Sequence, residues 1–511
     1  MFKKLLKKSE KGQAIILIAF AMVGLIAIVG LMTDGGILLI EYAKLKRAID
    51  SASIASALQF RRGFTGADLT TAAQEFLILN QSAADNIQVY TCNPDNEIDT
   101  LHDPELCTVP LRKLIRINAT RTIGFGFLRV IGINGTTIRA SSVGEAASLD
   151  LVLVIDTSAS MAYETTGSAS SSDPGDDPAL CNAAQTCEPL ESVKAVALDF
   201  MDTMFFPYDR VAIVTMTSQN NNGFRDPYTL LPLSSDPIAV STAIGNIRVY
   251  QPPACPSVYG TCRDLCTADE IAAATDDSNP CYNKPVDYYV GEDCPAFRIY
   301  GDRSSCTSSN VGGSLEMAGA EFGREPVRED SFWVVIALVG GPANASTGTG
   351  DLTDVAPADG YPDDPAAFGF CPYNTWDSPT NPPCRDSLES TRHSAGEVDG
   401  TGNSIYDADD FARDRADFLA DPVDGMGVTV FTIGMGQYDP VTEKYGLLKE
   451  TGKSDPKNAG ELLLQYIAEE AGDSPPTVTA NHGFYAFSPD TSGLASIFSR
   501  IAENIFTRLS Q

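Results

Sequence analysis

The sequence predicts an α/β chain: a doubly wound, mostly parallel sheet with long disulfide-rich insertions, preceded by one transmembrane helix and a small α+β region. Three observations lead there. An uncharged apolar run lies near the N-terminus. From Leu149 onward, short continuous apolar runs alternate with amphipathic helical patterns, as in parallel strands joined by helices. Long stretches rich in Gly, Pro, Ser and Asp interrupt that alternation and carry most of the cysteines. The chain has 511 residues, room for two to four domains at ~100–200 residues each.

The first element is the apolar run at 14–32, AIILIAFAMVGLIAIVGLM, with no charge between Lys11 and Asp34. As a helix it spans roughly 28 Å, close to the ~30 Å of a bilayer core. It exceeds a signal peptide's apolar region of ~7–15 residues, and no A-x-A cleavage site follows, so a retained single span at about 14–33 is expected. Lys3, Lys4, Lys7, Lys8 and Lys11 precede it, whereas the charges after it nearly cancel. The positive-inside bias places the N-terminus in the cytoplasm and the body outside, at the cell surface or in the periplasm. All 12 cysteines lie beyond residue 90, with no CxxC pair and no zinc-ligand spacing. That distribution suits disulfides in an oxidising compartment.

Helical spacing continues past the span through Leu45, Ile49, Ala52 and Ala55, closing a first segment at 1–63. A small α+β region follows at 64–148, with a helix at 68–79, strands near 87–91, 111–120 and 136–142, and Cys92 and Cys107 placed to pair. The rest, 149–511, reads as one α/β domain. Strands are expected at 149–155, 210–216, 331–339, 427–433 and 482–487. Helices are expected at 191–204, 310–322 and 461–471, and a last one carries Leu494, Ile497, Phe498, Ile501 and Ile505 on one side. Insertions fall at about 162–190, 218–306 and 342–424 and hold ten of the 12 cysteines. Cys181 with Cys187 and Cys371 with Cys384 are the closest pairs.

Charge and composition narrow the function. Lys plus Arg number 36 against 67 Asp plus Glu, a net charge of −31. Clustered cations for phosphate contacts are lacking, so no nucleic-acid partner is expected. With 3 His, no P-loop and no HExxH, no enzyme is expected either.

The chemistry-bearing motif is Asp156-Thr-Ser158-Ala-Ser160, directly after the first buried strand. Ligands of open α/β sheets bind beyond the carboxyl ends of strands. One carboxylate and two hydroxyls there form an oxygen cup suited to Mg²⁺, Mn²⁺ or Ca²⁺. Together with the later elements, GVTVFTIGMG at 427–436 and the closing GFYAFSPDTSGLASIFSRIAENI, this motif resembles the von Willebrand factor type A family over roughly 149–511 apart from the insertions. Asp156, Ser158 and Ser160 match the opening of that family's metal-ion-dependent adhesion site, and Ser309 falls where the family has a later Thr. The resemblance implies a divalent cation, Mg²⁺ foremost with Mn²⁺ or Ca²⁺ as alternatives, held by Asp156, Ser158, Ser160 and Ser309 and completed by a partner's carboxylate. One position departs: where the family carries a second Asp, this chain has Gly340. Affinity should fall unless Asp351 or Asp354 substitutes, and a vestigial, metal-free turn is the alternative.

The N-terminal stretch from Lys11 to Leu58, followed by INATRTIGFGFLRVIGINGTTIRASSVGEA at 117–146, is similar to TadG and TadE-like proteins of tight-adherence (Flp) pilus systems. Gly12-Gln13 looks like a prepilin-peptidase site, but Leu17 stands where a pilin-like match wants Glu. The two resemblances imply a membrane-anchored protein of a pilus or related surface machine that binds a protein or surface partner. The alternative is a structural envelope subunit with a vestigial metal site.

Overall fold

The computed structural model describes residues 10–59, 65–92, 100–158, 161, 181–182, 184–216, 227–249, 309–341, 343, 392–394, 397, 406, 408–439, 444–447, 459–473, 479–488 and 491–509. The chain divides into two compact units, Met1–Ala147 and Ser148–Leu509.

The first unit is organised by one uninterrupted helix, α1 (Glu10–Leu58). It is long and apolar enough to cross a membrane. Its N-terminal half exposes Ile15, Leu17, Phe20, Leu25 and Met32, whereas Leu45, Ala48, Ile49 and Ala52 further along are buried. They pack in a core with Leu69, Ala73 and Leu77 of α2 (Gly66–Leu79). Thr65 starts α2 with a reciprocal cap: its hydroxyl accepts from Asp68 N, and Asp68 accepts from Thr65 N.

Beyond α2 the strands β1 (Asn86–Thr91), β2 (Leu101–His102), β3 (Lys113–Gly124) and β4 (Gly135–Ala146) form a sheet in the order β2-β1-β3-β4. Alternate β3 residues Ile115, Ile117 and Ala119 are buried, as a sheet with one covered face requires. The β3–β4 hairpin runs along α1, and polar pairs mark the register. Arg121 pairs with Glu41 at 2.9 Å. Lys46 donates to the Ser141 carbonyl at 2.9 Å, and the Ser142 hydroxyl donates to Asp50 at 2.6 Å. A Cβ on Gly144 would lie 2.3 Å from the Ser53 carbonyl oxygen, so helix and strand touch backbone to backbone there. Cys92 and Cys107 are disulfide-bonded.

The second unit is a mixed sheet ordered β10-β9-β8-β5-β6-β7. Its strands are β5 (Leu149–Ile155), β6 (Arg210–Thr215), β7 (Tyr228–Ser234), β8 (Phe332–Val339), β9 (Thr429–Asp439), β10 (Lys444–Leu447) and β11 (Tyr485–Ser488). Parallel pairing joins β6, β5, β8, β9 and β11; β7 and β10 are antiparallel. Side chains alternate between two cores. Leu149, Leu151, Leu153 and Ile155 pack with α3 (Leu190–Met201), α4 (Pro237–Asn246) and α8 (Leu494–Leu509). Val152 and Val154 pack with α5 (Val311–Phe322), α6 (Ala408–Ala420) and α7 (Ala459–Glu469). Both faces are covered, which explains the continuous apolar reading of β5. Helices α5 and α6 approach closely at Gly312, where a Cβ would lie 2.4 Å from the Phe411 ring.

Three elements lie inside stretches read from sequence as insertions. Within 218–306 the chain forms β7 and α4, and within 342–424 it forms α6. Strand β7 carries Pro232 and sits at the sheet edge, where a missing N–H is tolerated. Helix α4 has β-branched residues and Gly245, but Asp236 caps it and Pro237 opens it, a usable start signal. Helix α6 has few large apolar residues and buries a stripe of Ala408, Ala412, Ala416 and Leu419. The Cys181–Cys187 disulfide lies just before α3; Cys371 and Cys384 lie outside the described residues.

One buried charge network ties the base of this sheet. Asp150 accepts from Arg210 Nε at 3.0 Å and Nη2 at 2.7 Å, from Arg328, and from the Ser331 hydroxyl at 2.8 Å. Burial pushes the Asp150 carboxyl up, but the hydrogen bonds and charges of Arg210 and Arg328 outweigh it and hold it below the usual carboxylate range.

Candidate functional site

Asp156 to Ser158 leave the carboxyl end of β5 at the middle of the sheet, flanked by β8 and β6. Asp156 N donates to the Leu338 carbonyl at 2.9 Å, extending the β5–β8 ladder by one rung. The Asp156 carboxylate is then aimed by three donors. Oδ1 accepts from Ser158 N at 2.8 Å. Oδ2 accepts from the Ser309 hydroxyl at 3.0 Å and from Gly340 N at 2.9 Å. The Ser309 and Ser158 hydroxyl oxygens are 3.5 Å apart. All three side chains are buried.

Each loop has its own reason to be there. Ser309 forms a parallel bridge with Ala343 beyond β8. The next residue, Asn310, caps α5 by accepting from Gly313 N at 2.9 Å, which anchors the Ser309 loop to the helix start. Gly340 follows β8 and contributes its backbone N–H.

The structure thus brings together Asp156, Ser158 and Ser309 of the expected set; Ser160, Asp351 and Asp354 lie outside the described residues. Two participants escaped sequence reading. Gly340 is a backbone donor to Asp156, and a main-chain N–H leaves no mark in sequence. Asn310 positions Ser309, and its signal was available: Asn before VGGSLEMA is a helix N-cap.

The donor set is all oxygen, the chemistry of hard divalent cations. It fits such an ion through one carboxylate and two hydroxyls and carries a single formal negative charge. Among the described residues no cluster of three or more His, Cys, Asp or Glu offers a stronger site. The histidines are engaged elsewhere: His393 faces Asp410 at 3.4 Å, His482 faces Asp473 at 3.0 Å, and His102 contacts the Cys92 carbonyl.

No family model matches the chain, and no curated protein matches it. Among solved structures it is similar to the vWF domain of the type V pili tip protein Mfa5 from Porphyromonas gingivalis, at 14% identity and a TM-score of 0.35, covering 72% of this chain and 97% of that one. It is similar to the PilB minor pilin from Streptococcus sanguinis at 12% identity and 0.35, covering 78% and 76%. The pilus adhesin SpaC from Lactobacillus rhamnosus GG matches at 12% identity and 0.35, covering 78% of this chain and 33% of that one. At such scores these likenesses carry no weight for function, which has to be argued from the site itself.

Proposed function

We propose that this is a membrane-anchored, extracytoplasmic protein of a TadG/TadE-like tight-adherence pilus or related surface machine, without enzymatic activity. Its Ser148–Leu509 unit is a von Willebrand A-like binding domain that engages a protein or surface partner. The observation that carries the reading is the meeting of Asp156, Ser158 and Ser309 at the carboxyl end of a sheet whose central strands are parallel. The apolar N-terminal part of α1 supports the anchor. Asp156, Ser158 and Ser309, joined by Ser160, would hold the cation, Mg²⁺ first. Bound there, the ion supplies positive charge for a partner's carboxylate. The residues themselves orient that position: Gly340 N and Ser158 N hold the Asp156 carboxylate in place.

A second reading has its own observation. Asp156 already has three protein donors, and Gly340 brings no second carboxylate. A structural envelope subunit with a vestigial site would look the same. Capture of surface proteins from the source organism's own envelope by the detergent-solubilised full chain, with Mg²⁺ or with EDTA, separates the two. Partner capture lost in EDTA and in Ser309→Ala supports metal-dependent binding. Capture indifferent to both supports the vestigial reading, and no capture at all rejects the adhesive role.

A further inference from the structure

The β3–β4 hairpin tip lies against the membrane-spanning part of α1. A Cβ on Gly30 would sit 2.7 Å from the Phe127 Cβ, so the tip touches the helix inside the expected 14–33 span. Four residues on, Asp34 is buried, and its carboxylate accepts from Gly126 N at 3.0 Å, Phe127 N at 2.9 Å and Leu128 N at 2.7 Å. Asp34 carries the only charge between Lys11 and Glu41. An ionised side chain in an apolar band is costly unless the protein satisfies it, and here the tip does so.

With Asp34 covered, the apolar surface of α1 does not stop at residue 33. Ile37, Leu39 and Ile40 are exposed. From Ile15 to Ile40 the helix runs roughly 39 Å, past the ~30 Å hydrocarbon core and into the headgroup region. The tip meets the helix at Gly30 and Asp34, roughly 22 and 28 Å from Ile15 and so at the outer edge of that core, and is itself apolar: Phe127 is 46% exposed, Val130 83% and Ile133 47%, with Arg129 exposed among them. Water would not favour such a patch on a hairpin turn, whereas apolar side chains flanked by one Arg suit the acyl–headgroup boundary.

We propose that residues 125–133 form a second membrane-contacting element, a wedge seated in the outer interface of the bilayer beside α1 and locked to it by Asp34. The occupant is lipid, because the patch is continuous with the lipid-facing surface of the span. The proposal rests on the membrane anchor of the preceding reading.

The test uses the full chain in phosphatidylcholine–phosphatidylglycerol nanodiscs, with Trp333→Phe and Trp376→Phe as background. Single tryptophans are placed by Val130→Trp, Ile133→Trp, Phe20→Trp and Val143→Trp, and quenching by brominated lipids is measured. Val143 is an exposed valine on the same hairpin, paired with Arg116. It lies eight strand positions from the Gly135 turn, about 27 Å away. Far-UV circular dichroism and the intact Cys92–Cys107 bond certify folding of each variant. Val130→Trp and Ile133→Trp should be quenched about threefold more than Val143→Trp, as expected for ~5–10 Å of interfacial depth. Strong quenching of Phe20→Trp with Val130→Trp and Ile133→Trp no different from Val143→Trp overturns the wedge and leaves the anchor standing. Absence of quenching at Phe20→Trp overturns both. Quenching of Val130→Trp by aqueous acrylamide but not by brominated lipid assigns the patch to water or a protein and rejects the wedge.

Discussion

Removing the Asp156 carboxylate tests whether the site is a tie between loops as well as a ligand. In Asp156→Ala the Ser309 hydroxyl can turn to another acceptor, since Ser158 Oγ is 3.5 Å away. The N–H groups of Ser158 and Gly340 cannot turn; they lose acceptors at 2.8 and 2.9 Å in a buried site. At roughly 1–3 kcal/mol for each buried orphan, the sum is roughly 2–6 kcal/mol. Water entering the space left by the side chain moves the expected loss to about 3 kcal/mol. For a unit of this size, at ~2 °C per kcal/mol, that lowers the melting temperature by about 6 °C. Asp156→Asn keeps an acceptor for Ser158 N but turns its amide N–H₂ toward the Gly340 N–H, so its loss falls between wild type and Ala. The assay is intrinsic-fluorescence melting of the full chain in detergent with EDTA, so that no cation contributes. An Ala variant melting within about 1 °C of wild type would refute the idea that this carboxylate joins β5, β8 and the Ser309 loop.

Other expectations follow from the same structure. Gly340→Asp, which adds a second carboxylate, should tighten Mg²⁺ binding at least about tenfold, or ~1.4 kcal/mol, by calorimetry; unchanged or weaker binding would place the cation elsewhere. Asp150→Ala leaves Arg210 and Arg328 buried without their shared partner and should cost about 3–5 kcal/mol in denaturant titration. Because its folded-state value is held below the ordinary ~3.9, Asp150's contribution is present above about pH 4 and lost as pH falls through the folded value. Acid melts of wild type and Asp150→Ala should therefore draw together as the pH falls through that folded value, and parallel curves would reject this. Opening the Cys92–Cys107 bond, whose partners are 15 residues apart, should cost about 3 kcal/mol in the chain-entropy account; a thiol count showing both cysteines free in the native protein would contradict it.

What could be read in the chain, and what could not, divides along sequence distance. The strands β5, β6, β8 and β9 were legible because each is a short apolar run between helical patterns, and periodicity is a property of neighbouring residues. The same holds for α1, whose apolar stretch is contiguous, and for Cys92–Cys107 and Cys181–Cys187, whose partners lie close along the chain. Residue type after a buried strand named Asp156 and Ser158 as ligand material, and the family resemblance added Ser309. Only the folded sheet sets Ser309 against Asp156, 153 residues away, because strand order and register decide which loops share the carboxyl edge. Strand β7 and helices α4 and α6 were missed because their interior signals are weak, with Pro232 in the strand, β-branched residues and Gly245 in α4 despite its Asp236 cap, and small or charged residues in α6; neighbours in space stabilise them. Asp150 inside an apolar strand and Asp34 inside an apolar helix look like interruptions in one dimension. Tertiary structure supplies Arg210 and Arg328 to the first and three backbone N–H groups to the second. A buried charge needs partners, and those partners come from distant segments that only the fold brings near.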